Sequence, residues 1–280
     1  MLDSPLVRKI VKLGLEEDTF LGDPTSELTI DSELKAYAEI KAKEDFILCG
    51  AELLEIISEE SNRRLDIKAN YSDGDSISKG DVVFEINGKA RDILILERLM
   101  LNFLQHLSGI ATQTRSIVAQ IKNLTLLDTR KTTPGNRILE KYAAKIGGAR
   151  NQRSFLGDMI LIKDNHIDSN RGVKETLDRV FKGKSYYMPV QIEVRNLDEL
   201  EDALEYNLTS IMLDNMDIDK IKAAVEIIKA RNENILIEVS GGITKDNIND
   251  YIKTGIDAVS SSAHIVASKW VDLSLSIKNI

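Results

Sequence analysis

The chain has 280 residues, of which 42% are hydrophobic and 29% are charged, and these proportions are typical of a soluble globular protein. Its 37 Lys and Arg residues and 45 Asp and Glu residues give a formal net charge of −8. Because the averaged field of such a chain repels polyanions, we expect neither nucleic acid nor a membrane as a partner. The single cysteine, Cys49, excludes an internal disulfide and a Cys-rich metal site.

The first predicted element is a short amphipathic helix, MLDSPLVRKIVKLGLEED. Its apolar positions Leu6, Ile10, Val11 and Leu15 recur at helical spacing, and charges interrupt them before the apolar region of a signal peptide could form. No apolar run approaches the roughly 18 residues that a membrane-spanning helix needs. We therefore expect a cytoplasmic protein.

The pattern in the following part of the chain, to about residue 110, predicts a small mixed α+β unit. Short strands are predicted over 36–40, 46–48 and 81–86, with a helix around 51–58 among them. A helix over 93–107 comes next. It is apolar on most faces, which indicates a position between layers or at a subunit contact.

From about residue 120 the pattern changes to repeated strand and helix units. Amphipathic helical stretches separate six short apolar runs, and this alternation predicts a parallel sheet covered by crossover helices. Six successive units favour a barrel over an open sheet. The predicted strands are 124–127, 159–162, 190–194, 210–213, 235–239 and 258–260, and the predicted helices are 175–181, 197–205, 218–231 and 245–253.

Residues able to do chemistry follow every one of these runs. In βα barrels the carboxyl ends of the strands build the active site, so residues that recur there converge on one pocket. Polar residues that merely end a strand would explain one or two cases, but not six. The residues concerned are Asp128 to Lys131, Lys163 to His166, Glu193 with Arg195, Asp214 with Asn215, Glu238 with Ser240 to Gly242, and Ser260 to Ser262.

Positive charge is concentrated between residues 128 and 163. This window holds eight basic and three acidic residues within an acidic chain. We assign Lys141 and Lys145 to a solvated helix face, and the other bases indicate a pocket for a multiply charged anion. His166, beside Lys163, is a possible neighbour of that pocket.

A phosphate subsite is indicated separately by Ser240, Gly241 and Gly242, which lie between a predicted strand and a predicted helix. Backbone N–H groups can approach a phosphate closely at such a turn, and a helix N-terminus favours anions. Hydroxyl and amide groups of Ser260 to Ser262 could complete this subsite. The glycines could also serve only a tight turn.

Taken together, these residues resemble the quinolinate phosphoribosyltransferase family over nearly the whole chain. The resemblance implies an α/β fold in which an N-terminal α/β sandwich domain packs on an incomplete six-stranded βα barrel. We place the first domain at 1–110, with 267–280 returning to it, and the barrel with its active site at 111–266. The matching segments are EDTFLGDPT (17–25), ERLMLNFLQHLSGIAT (97–112), DTRKTTPG (128–135), GGARNQR (147–153), IKDNHI (162–167), IEV (192–194), MLDNM (212–216) and EVSGGI (238–243).

The resemblance implies transfer of a phosphoribosyl group from phosphoribosyl pyrophosphate to quinolinate with Mg²⁺ and loss of CO₂, which gives nicotinate mononucleotide for NAD biosynthesis. It implies Lys131, Lys163, Glu193 and Asp214 as catalytic residues. The two carboxylates would stabilise charge at the ribose and hold Mg²⁺, directly or through water. The residues implied in substrate binding are these four with Arg98, Arg130, Gln152, Arg153, Ser240, Gly241, Gly242, Ser261 and Ser262.

The resemblance also implies a homodimer, or an assembly built from dimers, in which Arg98 enters the partner's site. Three positions depart from the family pattern: Gln152 stands where a histidine is common, Ser260 to Ser262 where Ser-Val-Gly is common, and Val266 where a histidine is usual. Three alternatives therefore stay open. They are a related transferase of the same fold with another acceptor, a barrel lyase with a Schiff base on Lys163, and a catalytically weak phosphoribosyl-binding protein.

Overall fold

The computed structural model describes residues 2–121 and 123–279, which divide into two compact units. We call unit 1 the part made of residues up to 115, 132–148 and from 265 onward, and unit 2 the part made of 116–131 and 149–264. The sequence predicts that 132–148 belongs to the second domain, whereas in the structure this segment is part of unit 1.

The elements are numbered in chain order. The helices are α1 (Pro5–Thr19), α2 (Pro24–Thr29), α3 (Glu52–Glu60), α4 (Ala90–Val118), α5 (Arg137–Gly147), α6 (Asp164–Ser169), α7 (Val173–Gly183), α8 (Leu197–Ala203), α9 (Ile218–Arg231) and α10 (Ala263–Val266). The strands are β1 (Lys35–Ala42), β2 (Phe46–Ile47), β3 (Asp66–Ala69), β4 (Ser76–Ile77), β5 (Val82–Lys89), β6 (Thr125–Leu127), β7 (Ile160–Ile162), β8 (Val190–Val194), β9 (Ser210–Asp214), β10 (Leu236–Ser240), β11 (Ala258–Ser260) and β12 (Leu273–Asn279).

Unit 1 is built on an antiparallel sheet in the order β12-β1-β5-β3, with a small second sheet of β2 and β4. The C-terminal strand β12 pairs with β1, and Ala38 lies opposite Ile277. Residues of β1 alternate between exposed or half-buried and buried positions at its start, and Ala38 and Ile40 are fully buried. This alternation is typical of a strand with one face on a core.

Helix α4 supplies much of the unit 1 core and is longer than the predicted 93–107. By length and composition it could cross a membrane, but more than half of its most apolar stretch is buried inside the protein, as in the core helix of a globular domain. Gly147 on α5 allows a close approach, because a Cβ there would lie 2.4 Å from Thr114 of α4. This contact explains why the segment that holds α5 belongs with unit 1.

Unit 2 is a parallel six-stranded sheet in the order β6-β11-β10-β9-β8-β7. All six strands lie where the apolar runs predicted them, so the predicted six-stranded parallel sheet is confirmed. Strands β6 and β7 form its two edges, and no ladder joins them among the described residues, so the barrel is incomplete. An isolated parallel bridge from Leu127 to Arg150 places the segment after Arg150 beside the β6 edge.

The helix predicted over 245–253 is wrong. Only a 3₁₀ turn, Ile248–Tyr251, forms there. The Asn247 side chain accepts a hydrogen bond from the Thr244 N–H at 2.8 Å and donates one to the Gly242 carbonyl at 3.0 Å. Asparagine competes for backbone groups in this way and favours turns over helix interiors.

The assignment of Lys141 to a solvated face is also wrong, whereas Lys145 is exposed as predicted. Lys141 is 3% exposed, and its neighbours Leu139 and Ala144 on α5 are fully buried. Because α5 is buried on more than one side, charge on this helix does not mark a solvent face.

Candidate active site

A cavity of about 320 Å³ lies at the carboxyl ends of the unit 2 strands. It is formed by inward-facing residues of the strands together with the segments that follow β6 and precede β7. Six of its lining residues are predicted site residues, four of them cationic. The lining residues are Thr129, Arg130, Lys131, Gln152, Arg153, Leu161, Lys163, Met212, Ser240 and Ser260.

Lys163 and Glu193 form an ion pair at the ends of two adjacent strands. The register of β7 and β8 places Ile162 beside Ile192, so the next residue of each strand faces the same end of the barrel. The Lys163 ammonium lies 2.7 Å from a Glu193 carboxylate oxygen, and Glu193 is buried. The Lys163 N–H donates to Nδ1 of His166 at 2.9 Å, so His166 shapes the start of α6 and does not itself line the cavity.

Arg130 and Arg153 bring two positive charges together in the same cavity. Burial, and then the nearby Arg130 charge, lower the pKa of the Arg153 guanidinium. Nη1 of Arg153 donates to the Met159 carbonyl at 3.4 Å, and its Nε is buried without a hydrogen-bond partner within the described part of the chain. An anion bound between the two guanidinium groups would relieve both the repulsion and the unpaired donor.

Two buried carboxylates hold the segment that carries Arg153. Asp128 is fully buried and accepts hydrogen bonds from the Gln152 N–H at 2.9 Å and from Asn151 Nδ2 at 2.5 Å. Glu238 is 4% exposed and accepts a 2.7 Å hydrogen bond from Gln152 Nε2. This irregular segment therefore owes its shape to side-chain hydrogen bonds from the barrel interior.

Asp214 and Ser240 lie side by side at the ends of β9 and β10. Asn215, the next residue, has φ of +52° and donates from Nδ2 to Asp214 at 2.6 Å. A Cβ on Gly241 would lie 2.2 Å from Asn215 Oδ1, and Gly241 itself has φ of +113°. Glycine is therefore required at 241 by both backbone conformation and packing.

Two sequence models of known protein families match the chain. The sequence model described as "Quinolinate phosphoribosyl transferase, C-terminal domain" matches residues 110–276, and that of the N-terminal domain matches 23–108. The chain belongs to the quinolinate phosphoribosyltransferase family. It is 43% identical to a probable carboxylating nicotinate-nucleotide pyrophosphorylase of Methanocaldococcus jannaschii, with 96% of each chain covered. It is 37% identical to the chloroplastic carboxylating nicotinate-nucleotide pyrophosphorylase of Arabidopsis thaliana, with 97% of this chain and 82% of that one covered.

Solved structures of the family share the fold. The nicotinate-nucleotide pyrophosphorylase from Francisella tularensis superposes with a TM-score of 0.91 at 37% identity, with 98% of this chain and 96% of that chain covered. NadC from Streptococcus pyogenes gives a TM-score of 0.92 at 33% identity, with 98% and 97% covered. These comparisons confirm the predicted family and its α/β fold.

Ser261 is one of the residues expected to hold the phosphate in this member of the quinolinate phosphoribosyltransferase family. The Ser261 hydroxyl donates to the Ile243 carbonyl at 2.6 Å, and its N–H donates to the Leu127 carbonyl at 3.1 Å. Both donors of Ser261 therefore have partners inside the unit, and its expected contact with phosphate stays a prediction. Ser260 lines the cavity. Ser262 is half-buried, and Val266 is exposed on α10.

Arg98 lies in unit 1, on α4, with 61% of its side chain exposed. Its guanidinium is 3.9 Å from the Glu97 carboxylate, a distance that leaves at most a weak ion pair. Its predicted entry into a partner's site stays a prediction.

The two carboxylates expected to hold Mg²⁺ are Glu193 and Asp214. In residues 2–121 and 123–279, no group of three or more His, Cys, Asp or Glu side chains could hold a metal ion. Glu193 is engaged by Lys163, and Asp214 accepts from Asn215. Both expected carboxylates are thus engaged by neighbouring side chains, and their contact with Mg²⁺ stays a prediction.

Sequence reasoning placed Glu238 among the strand-end residues without giving it a role, and it missed Gln191. Gln191 and Glu238 are buried, and Gln191 Nε2 donates to Glu238 at 2.7 Å. Burial raises the pKa of Glu238, and hydrogen bonds from Gln191, Ser260 and Gln152 oppose that rise. The available signal was the alternation of side chains along a strand. Gln191 lies two residues before Glu193, and Glu238 lies two residues before Ser240, so each pair lies on the same face of the sheet.

Proposed function

We propose that this chain transfers a phosphoribosyl group from phosphoribosyl pyrophosphate to quinolinate, releasing pyrophosphate and CO₂ and forming nicotinate mononucleotide for NAD biosynthesis. One observation carries the proposal: four cationic side chains line a single cavity at the strand ends of a chain that belongs to this family. These are Arg130, Lys131, Arg153 and Lys163. Curated relatives named for this activity are 37% to 43% identical to the chain over nearly its full length.

The cavity matches the charge of quinolinate, a planar dianion. Arg130 and Arg153 repel each other until an anion lies between them, and guanidinium groups bind carboxylates with two parallel hydrogen bonds. Gln152 adds a neutral amide to the same wall. The two arginines bind the carboxylates, and the apolar Leu161 and Met212 contact the ring.

The reaction then follows from charge and position. The pyridine nitrogen attacks C1 of the ribose, and the C1–O bond to pyrophosphate breaks with its electron pair leaving on pyrophosphate. Glu193 and Asp214 stabilise the positive charge that develops at C1 and bind ribose hydroxyls. Positioning supplies the rest of the rate, so no covalent nucleophile is needed.

Decarboxylation completes the reaction. The bond from the ring to the 2-carboxylate breaks, CO₂ leaves, and the electron pair that stays on the ring carbon takes a proton from water. The new bond to ribose makes the ring nitrogen cationic, which stabilises that electron pair. Lys131 and Lys163, both in the cavity wall, add positive charge beside it.

The 5′-phosphate binds at Ser240, Gly241 and Gly242. Both glycines have positive φ, +113° and +59°, so the chain turns sharply and its N–H groups can approach the phosphate. The helix expected to follow is only a 3₁₀ turn, so backbone amides and the Ser240 hydroxyl contribute more than a helix dipole does.

Mg²⁺ would be held mainly by pyrophosphate oxygens, with Asp214 and Glu193 as protein ligands directly or through water. Mg²⁺ usually takes only one or two protein carboxylates when it is bound with substrate phosphates, and Asp214 and Glu193 lie at the ends of neighbouring strands. When bound, the ion neutralises charge on the departing pyrophosphate.

The functional unit is a homodimer, or an assembly of dimers, in which Arg98 of one subunit enters the other's site. Exposure supports this proposal: Phe20, Leu21 and Leu28 in unit 1 are each at least 85% exposed, so a second subunit has large apolar side chains to cover. The exposed Arg98 side chain is available to a second subunit.

The test is a product assay with phosphoribosyl pyrophosphate and Mg²⁺, in which quinolinate and nicotinate are offered in parallel. We expect nucleotide with stoichiometric CO₂ from quinolinate alone. Nucleotide from neither acid, with phosphoribosyl pyrophosphate still bound, would mean a different acceptor or a binding protein. Borohydride trapping of a carbonyl substrate on Lys163 would replace the proposal with a Schiff-base lyase.

A further inference from the structure

Glu238 is a buried carboxylate to which the mechanism above gives no role. It lies in β10, two residues before Ser240, and is 4% exposed. One of its oxygens accepts from Gln152 Nε2 and the other from Gln191 Nε2, both at 2.7 Å. The Ser260 hydroxyl is a third hydrogen-bond partner. Two neutral amide donors thus hold this carboxylate, one on each oxygen.

The two glutamines differ in position. Gln152 lines the cavity that holds the four cationic side chains, whereas Gln191 is not among the residues that line it. The Oε1 of Gln191 is buried without a hydrogen-bond partner in the described part of the chain. A buried unpaired acceptor costs free energy. The Gln191 amide nevertheless has the orientation that leaves Oε1 unpaired, because this orientation directs its NH₂ group to Glu238.

Gln152 is held at both ends. Its backbone N–H donates to Asp128 at 2.9 Å, and its side chain donates to Glu238. Because Gln152 directly precedes Arg153 in a segment without helix or strand hydrogen bonds, these contacts determine how the segment meets the cavity.

We propose that Glu238 is a positioning residue for the acceptor: by holding the Gln152 side chain from inside the barrel, it fixes the wall against which quinolinate binds between Arg130 and Arg153. The inference rests on the proposed function for the identity of the acceptor. Glu238 does not touch the acceptor. It acts through the length of its side chain, which brings its oxygen within hydrogen-bonding distance of Gln152, and its charge contributes less.

Two conservative variants separate the effect of side-chain length from the effect of charge. Glu238→Asp keeps the charge but withdraws the oxygens by one methylene. Glu238→Gln keeps the length, and its Oε1 still accepts from Gln152, while a rotated Gln191 amide can accept from its NH₂ group. We expect Glu238→Asp to raise the KM for quinolinate by about tenfold, the effect of losing one hydrogen bond to a charged group, and Glu238→Gln to stay within about threefold.

Gln191→Met is the matched control, because it removes a hydrogen bond of the same length to the same carboxylate away from the cavity. We expect an unchanged KM for quinolinate in this variant, and an unchanged KM for phosphoribosyl pyrophosphate in all three. In a Gln152→Met background, Glu238→Asp should have no further effect on quinolinate, since the residue through which it acts is gone.

Equilibrium titration of quinolinate accompanies the kinetics, so the comparison does not depend on turnover. A weakened quinolinate affinity in Glu238→Gln with a normal one in Glu238→Asp would overturn the proposal in favour of a charge effect. An effect of Glu238→Asp that persists without Gln152, or an equal effect of Gln191→Met, would also overturn it. Failure of the unaltered chain to convert quinolinate would instead reject the proposed function.

Discussion

The Lys163 ammonium and the Glu193 carboxylate face each other across the ends of β7 and β8, 2.7 Å apart. Glu193 is only 8% exposed at its side chain, whereas Lys163 is 46% exposed. Glu193 is therefore the buried, fixed member of the pair, and Lys163 is the member that can reach into the cavity. When an anionic acceptor binds, Lys163 can contact it while Glu193 limits how far the ammonium moves.

Lys163→Ala should lower kcat by about a hundredfold or more, because a positive charge beside the reacting ring is lost. Lys174→Ala is the matched control, since Lys174 on α7 is 45% exposed and lies 2.8 Å from the Glu205 carboxylate in the turn after α8. We expect its kcat to be unchanged. Steady-state kinetics with both variants would check this, and a kcat within threefold of the unaltered chain in Lys163→Ala would remove this lysine from the mechanism.

Arg153→Met should separate stability from affinity. It removes a partly buried charge that Arg130 disfavours, so the melting temperature should stay the same or rise. The KM for quinolinate should increase about tenfold or more, because a bidentate partner is lost. Thermal unfolding and acceptor kinetics on one preparation would show both effects, and a lower melting temperature with unchanged KM would contradict the assignment of Arg153 to the acceptor.

The strands of unit 2 could be predicted because buried parallel strands are short β-branched runs. The run 190–194 was predicted with the bounds that β8 has, and 218–231 with those of α9. The ends of parallel strands meet at one edge, so Arg130, Lys163 and Ser240 could be expected to converge although they are far apart in sequence.

What the sequence could not show depends on hydrogen bonds between distant residues. Asn247 turns the predicted helix into a 3₁₀ turn through its side chain, and no periodicity reports that competition. Ser261 donates to the carbonyls of Ile243 and Leu127, which lie in other segments, and no sequence pattern indicates these partners. The contact of Gln152 with Glu238 joins residues 86 positions apart, and neither residue type alone indicates it.

Gly241→Ala should damage the phosphate subsite. A Cβ at 241 would lie 2.2 Å from Asn215 Oδ1, and φ is +113°, so the turn or Asn215 must move. We expect a higher KM for phosphoribosyl pyrophosphate and a loss of about 1–3 kcal/mol in unfolding free energy. Gly183→Ala is the control, because a Cβ there meets nothing within 4 Å. Equal effects of both substitutions would contradict the argument.

Acid should weaken unit 1 through Glu140. Burial raises the pKa of this carboxyl, but hydrogen bonds from His106 and the Thr133 N–H more than offset burial and hold it below its ordinary value of 4.5. A group with a depressed folded pKa stabilises the fold above its unfolded pKa, and this stabilisation is lost as pH falls through the folded pKa.

The unfolding free energy should therefore decline as pH falls below about 4.5, and the decline should be smaller in Glu140→Gln. Urea unfolding at several pH values between 6 and 3 would measure it. Glu175→Gln, on the exposed side of α7, serves as the control and should keep the slope of the unaltered chain. An unchanged slope in Glu140→Gln would show that this carboxylate does not govern acid stability.

The proposed shared site predicts complementation between two inactive variants. Arg98→Ala and Lys131→Ala should each lose activity as pure dimers, because every site lacks one of the two residues. In an equimolar mixture with free subunit exchange, half of the dimers are mixed, and each mixed dimer has one site with both residues intact. About a quarter of the unaltered activity should then return, from symmetry alone. Exchange verified by a mass-tagged subunit with no recovered activity would place Arg98 and Lys131 in the same subunit's site, or Arg98 outside it.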